Sequence, residues 1–291
     1  MAKTKEEKIT RVIAKNDDGS IQITFSVPKG IVAKAEEKAL SEIGKDIQVP
    51  GFRKGKAPIS KVKENIRQEE LIEKILTNTV LPALREAFEE ERIKPIVYPK
   101  FELVSIKEGE DWQVRVLTCE LPDVDLANYK EKIIKDLKPN QIWTPDKKGE
   151  ESTKESREEK EQKVIESLIK NIDIKIPNLL IEEEVNSRLS QLLERIEKLG
   201  LSLEKYLESI GKTAQSLREE YEKQTKEAIA LELILNKIAQ QENIKVEEKE
   251  VDEILKISGE NLNNKDDLQR RELVKNIISR RKALEFLTSL I

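Results

Sequence analysis

The chain has 291 residues, 37% of them hydrophobic and 38% charged, so it has enough apolar material for a core and an unusually large charged surface. Its net charge of −4 argues against a protein that wraps nucleic acid with its whole surface, and its single cysteine, Cys119, excludes an intramolecular disulfide. The charged N-terminus and the lack of any apolar run of about 18 residues predict a cytosolic protein with no signal peptide and no membrane partner.

The first part of the chain begins with strand patterns and continues with helical ones. Apolar residues alternate with polar ones over residues 9–14 and 21–27, with an Asn-Asp-Asp-Gly turn between them, which predicts a β-hairpin. Apolar residues then recur at helical spacing in residues 31–47 and, after a loop, in residues 59–91. The two helical stretches therefore flank the loop.

Two further strand patterns complete this part of the chain. Residues 96–106 form the first, and Pro99 inside it predicts an edge strand because proline has no backbone N–H to donate. Alternation from Trp112 onward predicts the second. Residues 1–121 thus read β-β-α-loop-α-β-β, which predicts a self-contained α+β domain.

The rest of the chain is predicted to be a linker followed by helices. Periodicity fails over residues 122–163, and residues 146–163 are almost all charged or small, so this segment is predicted to be a linker or a solvated helix start. From residue 164 to 291, narrow apolar stripes recur at helical spacing. They predict an elongated all-α domain of helical arms with exposed flanks.

The most unusual stretch is residues 49–58, where two prolines and two glycines frame an aromatic residue and three cations. The stretch reads Val49, Pro50, Gly51, Phe52, Arg53, Lys54, Gly55, Lys56, Ala57 and Pro58. Because proline fixes φ and glycine permits positive φ, this composition predicts a shaped turn. Residues 51–63 contain five cations and no acid, in a chain that is acidic overall.

The residues alone leave two interpretations of this loop open. The cations could dock on phosphates while Phe52 stacks or inserts into an apolar notch. Alternatively, the loop is a solvated basic turn with Phe52 folded back onto its own domain.

Other chemistry is largely absent from the sequence. The chain has no histidine, so it lacks the side chain that titrates near neutral pH and the commonest metal ligand. Gly55 and Lys56 do not form a phosphate-binding loop, because Pro50 stands where that motif needs glycine and Ala57 where it needs serine or threonine. We expect no catalytic residues, metal or cofactor, and we expect Cys119 to be a buried structural thiol.

Residues 51–58 match, at every specified position, the ribosome-docking signature of the bacterial trigger factor family, Gly-Phe-Arg-x-Gly-Lys-x-Pro. The element order of residues 1–121 resembles the ribosome-binding domain of that family. Residues 172–181 resemble the start of its helical chaperone domain. The chain is therefore similar to trigger factor at both ends.

The resemblance implies an ATP-independent chaperone. Its partners would be the large ribosomal subunit near the nascent-chain exit, through protein and rRNA contacts, and unfolded or nascent polypeptides. The resemblance also leaves open a homodimer away from the ribosome. The ribosome-binding residues that it implies are Gly51, Phe52, Arg53, Lys54, Gly55, Lys56 and Pro58.

The chain departs from the full-length family between these two parts. There the family carries a prolyl isomerase domain of the FK506-binding type, whereas this chain has only the charged segment 146–163, and Trp143 alone does not supply an aromatic isomerase pocket. We therefore expect a short form that lacks this domain and is not an enzyme.

The helical domain is expected to hold clients on apolar side chains that other helices leave uncovered. At least half of the candidates are expected to lie in the core instead. The candidates are Leu179, Leu180, Leu192, Leu193, Leu199, Leu201 and Tyr206. Two other functions stay open: a residual prolyl isomerase, and an assembly factor whose basic loop binds a different acidic partner.

Overall fold

The computed structural model describes residues 8–107, 109–137, 156–257 and 266–290. Contacts divide the chain into two compact units: the part up to Leu121 together with Pro177–Leu180, and the remainder. The predicted fold class is confirmed, since the four strands lie in the N-terminal part and helices follow.

The first unit is built on one antiparallel sheet. Its strands are β1 (Thr10–Lys15), β2 (Ser20–Val27), β3 (Lys100–Ser105) and β4 (Trp112–Cys119). Their order in the sheet is β1-β2-β4-β3, so the strand that follows Pro99 lies at an edge, as predicted. Phe25 pairs with Val114 across the two central strands, and both are completely buried because every second residue of these strands faces the helices.

Three helices belong to this unit: α1 (Lys29–Asp46), α2 (Ile59–Asn65) and α3 (Gln68–Glu90). Helix α1 packs against both others. Leu40, Ile75 and Leu84 from α1 and α3 join the strand residues in one buried core. Helix α3 runs through Pro82 without interruption. The loop of residues 47–58 thus connects two helices that are fixed to the same core.

All the regular secondary structure in the described residues of the second unit is helical. Its helices are α4 (Tyr129–Leu137), α5 (Arg157–Asn171), α6 (Asn178–Lys198), α7 (Leu203–Ile210), α8 (Ala214–Gln241), α9 (Glu248–Ile257) and α10 (Asp266–Thr288). Only the first three residues of α6 cluster with the first unit. Helices α5, α8 and α10 pack against one another, α4 packs on α5, and α9 packs on α10. Among the described residues, no helix is both long and apolar enough to cross a lipid bilayer.

Part of the segment predicted as a linker is in fact structured. Residues 129–137 form α4, and α5 begins at Arg157 behind a Ser156–Glu159 capping box, earlier than the predicted start at residue 164. Residues 138–155, which include Trp143, lie outside the described residues. Sequence periodicity missed α4 because the helix is short and only Tyr129 and Ile133 are buried in it.

A polar cluster fixes α4 to the end of α8. The Tyr129 hydroxyl donates to Oε1 of Glu242 at 2.8 Å, and Nζ of Lys130 donates to Oε2 of the same carboxylate at 2.8 Å. The Lys130 ammonium also lies 5.4 Å from the centre of the Phe286 ring in α10. These bonds to Lys130 and Tyr129 lower the pKa of Glu242, while burial and the carboxylate raise the pKa of Tyr129.

The lowered pKa predicts a specific pH dependence of stability. A carboxyl whose folded-state pKa is depressed stabilises the fold above its unfolded pKa of about 4.3, and this contribution is lost as the pH falls through the folded-state pKa. Glu242→Gln should therefore lower the free energy of unfolding at pH 7. The difference from the wild type should shrink below about pH 4, measured by urea unfolding.

The control is Glu227→Gln in α8, the helix that Glu242 caps. It removes an exposed carboxylate that forms no ion pair with the described residues. A pH-independent difference between the wild type and Glu242→Gln would contradict the assigned contacts.

Candidate functional site

The loop between α1 and α2 opens with a tight β-turn. The N–H of Phe52 donates to the carbonyl of Val49 at 3.1 Å, which closes the turn across Pro50 and Gly51. Gly51 has a φ of +83°. Proline at the second position and a positive φ at the third are typical of a type II turn, in which glycine is strongly favoured. The order Pro-Gly in the sequence is therefore what shapes this turn.

A second β-turn follows at once. The N–H of Lys56 donates to the carbonyl of Arg53 at 2.9 Å, and Gly55 at the third position has a φ of +78°. A Cβ on Gly55 would lie 3.4 Å from the carbonyl oxygen of Lys45, near the end of α1. The positive φ is therefore what favours glycine at position 55, and a Cβ there would lie at the limit of ordinary van der Waals contact with α1.

Both ends of the loop are anchored in the core. Val49 is 2% exposed and Val62 in α2 is 1% exposed, while Ala57 packs partly against the same core. The carbonyl of Pro58 accepts the N–H of Val62 at 3.1 Å, so this proline begins α2 with a preset φ. The tip is therefore held from both sides.

The tip itself points into solvent. Every residue from position 50 to 56 is exposed. Phe52 keeps 39% of its surface accessible, so part of its surface is available to a partner. This exposure supports the docking interpretation of Phe52.

The tip carries three cations that form no ion pair with the described part of the chain: Arg53, Lys54 and Lys56. An unpaired surface cation can bind an anionic partner without first breaking an internal contact. The tip is thus a cationic surface that also exposes part of an aromatic side chain.

The two lysines of α2 differ from the tip cations. Lys61 pairs with Glu64 at 2.7 Å, and Lys63 pairs with Glu36 of α1 at 2.8 Å. The five cations of the sequence therefore lie on two surfaces. Those of the tip form no ion pair with the described residues, and those of α2 are neutralised by glutamates. Sequence alone could not separate them, since Glu36 lies far away along the chain.

The proposed client residues do not form one group. Leu179 and Leu180 lie at the start of α6 and are half-buried. Leu192 lies about 18 Å further along the same helix, so it is separate from them. Leu192 and Tyr206 are also half-buried. The exposed candidates are Leu193 at 40%, Leu199 at 75% and Leu201 at 44%. None of the seven is fully buried.

Two exposed apolar residues in the same stretch were not among the candidates. Leu203 and Ile210 of α7 are each 37% exposed, and α7 has no buried residue although its apolar side chains recur at helical spacing. A short amphipathic helix between Gly200 and Gly211 was the signal that could have identified them. We call the exposed set the α6–α7 patch: Leu193, Leu199, Leu201, Leu203 and Ile210.

The remaining candidates for chemistry are the single cysteine and groups of metal-binding side chains. Cys119 is buried, as predicted, and burial raises the pKa of its thiol to about 11, so the thiol stays protonated at neutral pH. The described part of the chain holds no group of three acidic, cysteine or histidine side chains that could bind a metal.

Comparison with known families shows the family to which the chain belongs. The model described as "Bacterial trigger factor protein (TF)" matches residues 10–152, and the one described as "Bacterial trigger factor protein (TF) C-terminus" matches residues 146–289. The chain belongs to the bacterial trigger factor family. The two matched ranges overlap at residues 146–152, which is consistent with a short form that lacks the isomerase domain.

Individual trigger factors match a little over a third of the chain. The proteins of Enterococcus faecalis and Streptococcus uberis are each 36% identical, over 37% and 38% of this chain and 25% and 26% of their own length. The match thus spans about a quarter of these relatives. A solved trigger factor chaperone, described for promiscuous substrate recognition in folding and assembly activities, shares the fold with a TM-score of 0.62 and 17% identity over 96% of this chain and 99% of that chain.

The two positive-φ glycines predict how the loop responds to substitution. Gly51→Ala should lower the free energy of unfolding by about 1 kcal/mol, because a Cβ is unfavourable at this backbone conformation. Gly55→Ala should lower it by a similar amount, because its φ is also positive. Gly51→Asn is the matched control, because asparagine tolerates positive φ. Urea unfolding measures the free energy of unfolding of each variant. Alanine variants as stable as the wild type would contradict the turn geometry.

Proposed function

We propose that this chain is an ATP-independent cytoplasmic chaperone that docks on the large ribosomal subunit near the nascent-chain exit and holds nascent or unfolded polypeptides. The observation that carries this proposal is the loop tip, which presents Phe52, Arg53 and Lys54 to solvent on two hydrogen-bonded turns. Phe52 and Arg53 stand at specified positions of the family's docking signature, and Lys54 stands at its first unspecified position.

Docking draws on preorganisation as well as charge. The two turns and the buried anchors fix the tip backbone before binding, so association loses little conformational entropy. Arg53 and Lys54 carry no internal partner among the described residues, and either rRNA phosphates or carboxylates of ribosomal proteins suit them. Phe52 supplies an apolar anchor that desolvates on contact.

Client holding rests on the second unit. The α6–α7 patch exposes leucine and isoleucine side chains, and burying such surface contributes roughly 25 cal/mol per Å² without directional bonds. Further exposed residues lie on α9 and α10, among them Ile257 at 85% and Leu273 at 62%. Weak, non-directional contacts of this kind suit many sequences and release them without ATP.

We also propose that the chain has no prolyl isomerase activity. The support is that the two trigger factor domains adjoin, with the matched ranges meeting at residues 146–152. A proline-containing peptide assay on the folded protein tests this: catalysed isomerisation would restore the residual-isomerase alternative. Dimer formation away from the ribosome stays a prediction that sedimentation of the free chain tests.

The docking proposal predicts which cations matter. Arg53→Ala with Lys54→Ala should weaken co-sedimentation with ribosomes at least about tenfold, and adding Phe52→Ala should weaken it further. If these cations contact phosphates, the slope of log affinity against log salt should fall by about one for each.

The matched control is Lys61→Ala with Lys63→Ala, which removes the same charge from the ion-paired helix. Equal losses from both double variants would show that net charge alone drives binding. Retained ribosome binding by the triple tip variant would overturn the proposal. Loss of ribosome binding with retained suppression of aggregation is the expected pattern.

The holding proposal predicts an independent phenotype. Replacing Leu199, Leu201 and Leu203 by serine should raise the concentration needed to suppress aggregation of a denatured client at least about tenfold, because these contacts contribute about 2–3 kcal/mol when buried. Ribosome binding should not change. Val12→Ser, which alters a 71% exposed valine in the first unit, is the control. If the triple variant suppressed aggregation as well as the wild type, the α6–α7 patch would not be a client site.

A further inference from the structure

The edge strand β3 has two apolar residues that face the helices without being covered by them. Phe101 pairs with Val116 and Leu103 pairs with Val114 across the sheet. Cross-strand partners point to the same face, so all four side chains face the helix layer. Val114 and Val116 are completely buried, yet Phe101 is 38% exposed and Leu103 is 44% exposed. The helix layer therefore stops short of this edge.

The uncovered strip is a groove and not a flat surface. Helix α3 forms the other wall with Ile72, Leu76 and Leu81, and the groove encloses about 420 Å³. Ile72 and Leu76 are partly buried and belong to the rim of the core. The groove floor is thus continuous with packed apolar side chains.

The backbone beside this groove is open on its outer side. Among the described residues β3 pairs only with β4, so the N–H and C=O groups that point away from β4 have no strand partner. Pro99 precedes the strand, and the register shifts between Leu103 and Ser105. The accessible edge is therefore about four residues long, or roughly 13 Å.

Two carboxylates line the α3 side of the groove. Glu69 and Glu73 lie one helical turn apart, and neither forms an ion pair with the described residues. They favour a ligand that carries a positive charge beside its apolar residues. A second copy paired edge to edge would bring the same two carboxylates to both sides of the junction, so the charges disfavour self-pairing.

We propose that this groove binds an extended apolar segment of an unfolded polypeptide that also carries lysine or arginine, and that the segment adds to β3 as a fifth strand. Main-chain hydrogen bonds to the edge provide affinity, and alternate side chains enter the groove. The short edge makes the complex weak and reversible. The identification of the segment as part of a client polypeptide rests on the proposed function. The groove would be a client site separate from the α6–α7 patch.

A labelled peptide tests the proposal on the full chain without ribosomes. The probe has eight residues of alternating valine and threonine with a lysine at each end, and fluorescence anisotropy reports its binding. Phe101→Ser with Leu103→Ser should weaken binding at least about tenfold. The control Val12→Ser, on the opposite edge strand of the same sheet, should leave binding unchanged. Equal peptide binding by the double variant and the wild type would overturn the proposal that the groove is the binding site.

Two modified probes separate the backbone and charge contributions. A peptide N-methylated along one edge cannot form the new ladder, so it should bind at least about tenfold more weakly. A glutamate-ended peptide should bind more weakly than the lysine-ended one, and Glu69→Gln with Glu73→Gln should abolish that preference. Undiminished binding of the N-methylated peptide would overturn strand addition.

Self-association and helical holding give distinguishable results. The proposal would be overturned in favour of a second copy by two results together. The wild type would bind no peptide, and it would sediment as a dimer that the Phe101→Ser, Leu103→Ser variant does not form. Failure of the groove leaves the suppression assay on the α6–α7 patch unaffected, and failure of that assay leaves peptide binding unaffected. Thermal unfolding followed by circular dichroism confirms that each variant is folded.

Discussion

Two backbone hydrogen bonds, each closing a turn that needs a left-handed glycine, hold the surface on which the account depends. They force residues 50–56 away from the core while Val49 and Val62 keep both ends inside it. The tip cations form no ion pair with the described residues in this arrangement, and part of Phe52 stays accessible. The geometry explains why glycine and proline alternate with functional side chains in the signature.

Two other places in the molecule also leave apolar side chains exposed to solvent. A short helix between two glycine-terminated turns leaves the α6–α7 patch exposed, and a helix layer that is too narrow for its sheet leaves the β3 groove open. In each place a rigid element presents apolar side chains that the fold could have buried. A protein that must bind unfolded chains benefits from such surfaces, because the exposed area is available without any conformational change.

Much of the fold could be predicted because its signals are local. Alternation in β2, helical spacing in α3 and the glycine-proline frame of the tip are all contained in short windows. What failed depends on contacts distant in sequence. Helix α4 is stabilised by Glu242, more than a hundred residues away, and the neutralisation of Lys63 requires Glu36. The sequence also could not show that Phe101 and Leu103 remain exposed, since their pattern is that of buried edge residues.

The most direct test of the central claim is photocross-linking from the tip. A photoreactive residue placed at position 52 of the full chain and mixed with intact ribosomes should form an adduct with a component of the large subunit, and the same residue at position 12 should not. An adduct from position 12 of equal yield, or ribosome retention with no adduct from position 52, would contradict docking through the tip.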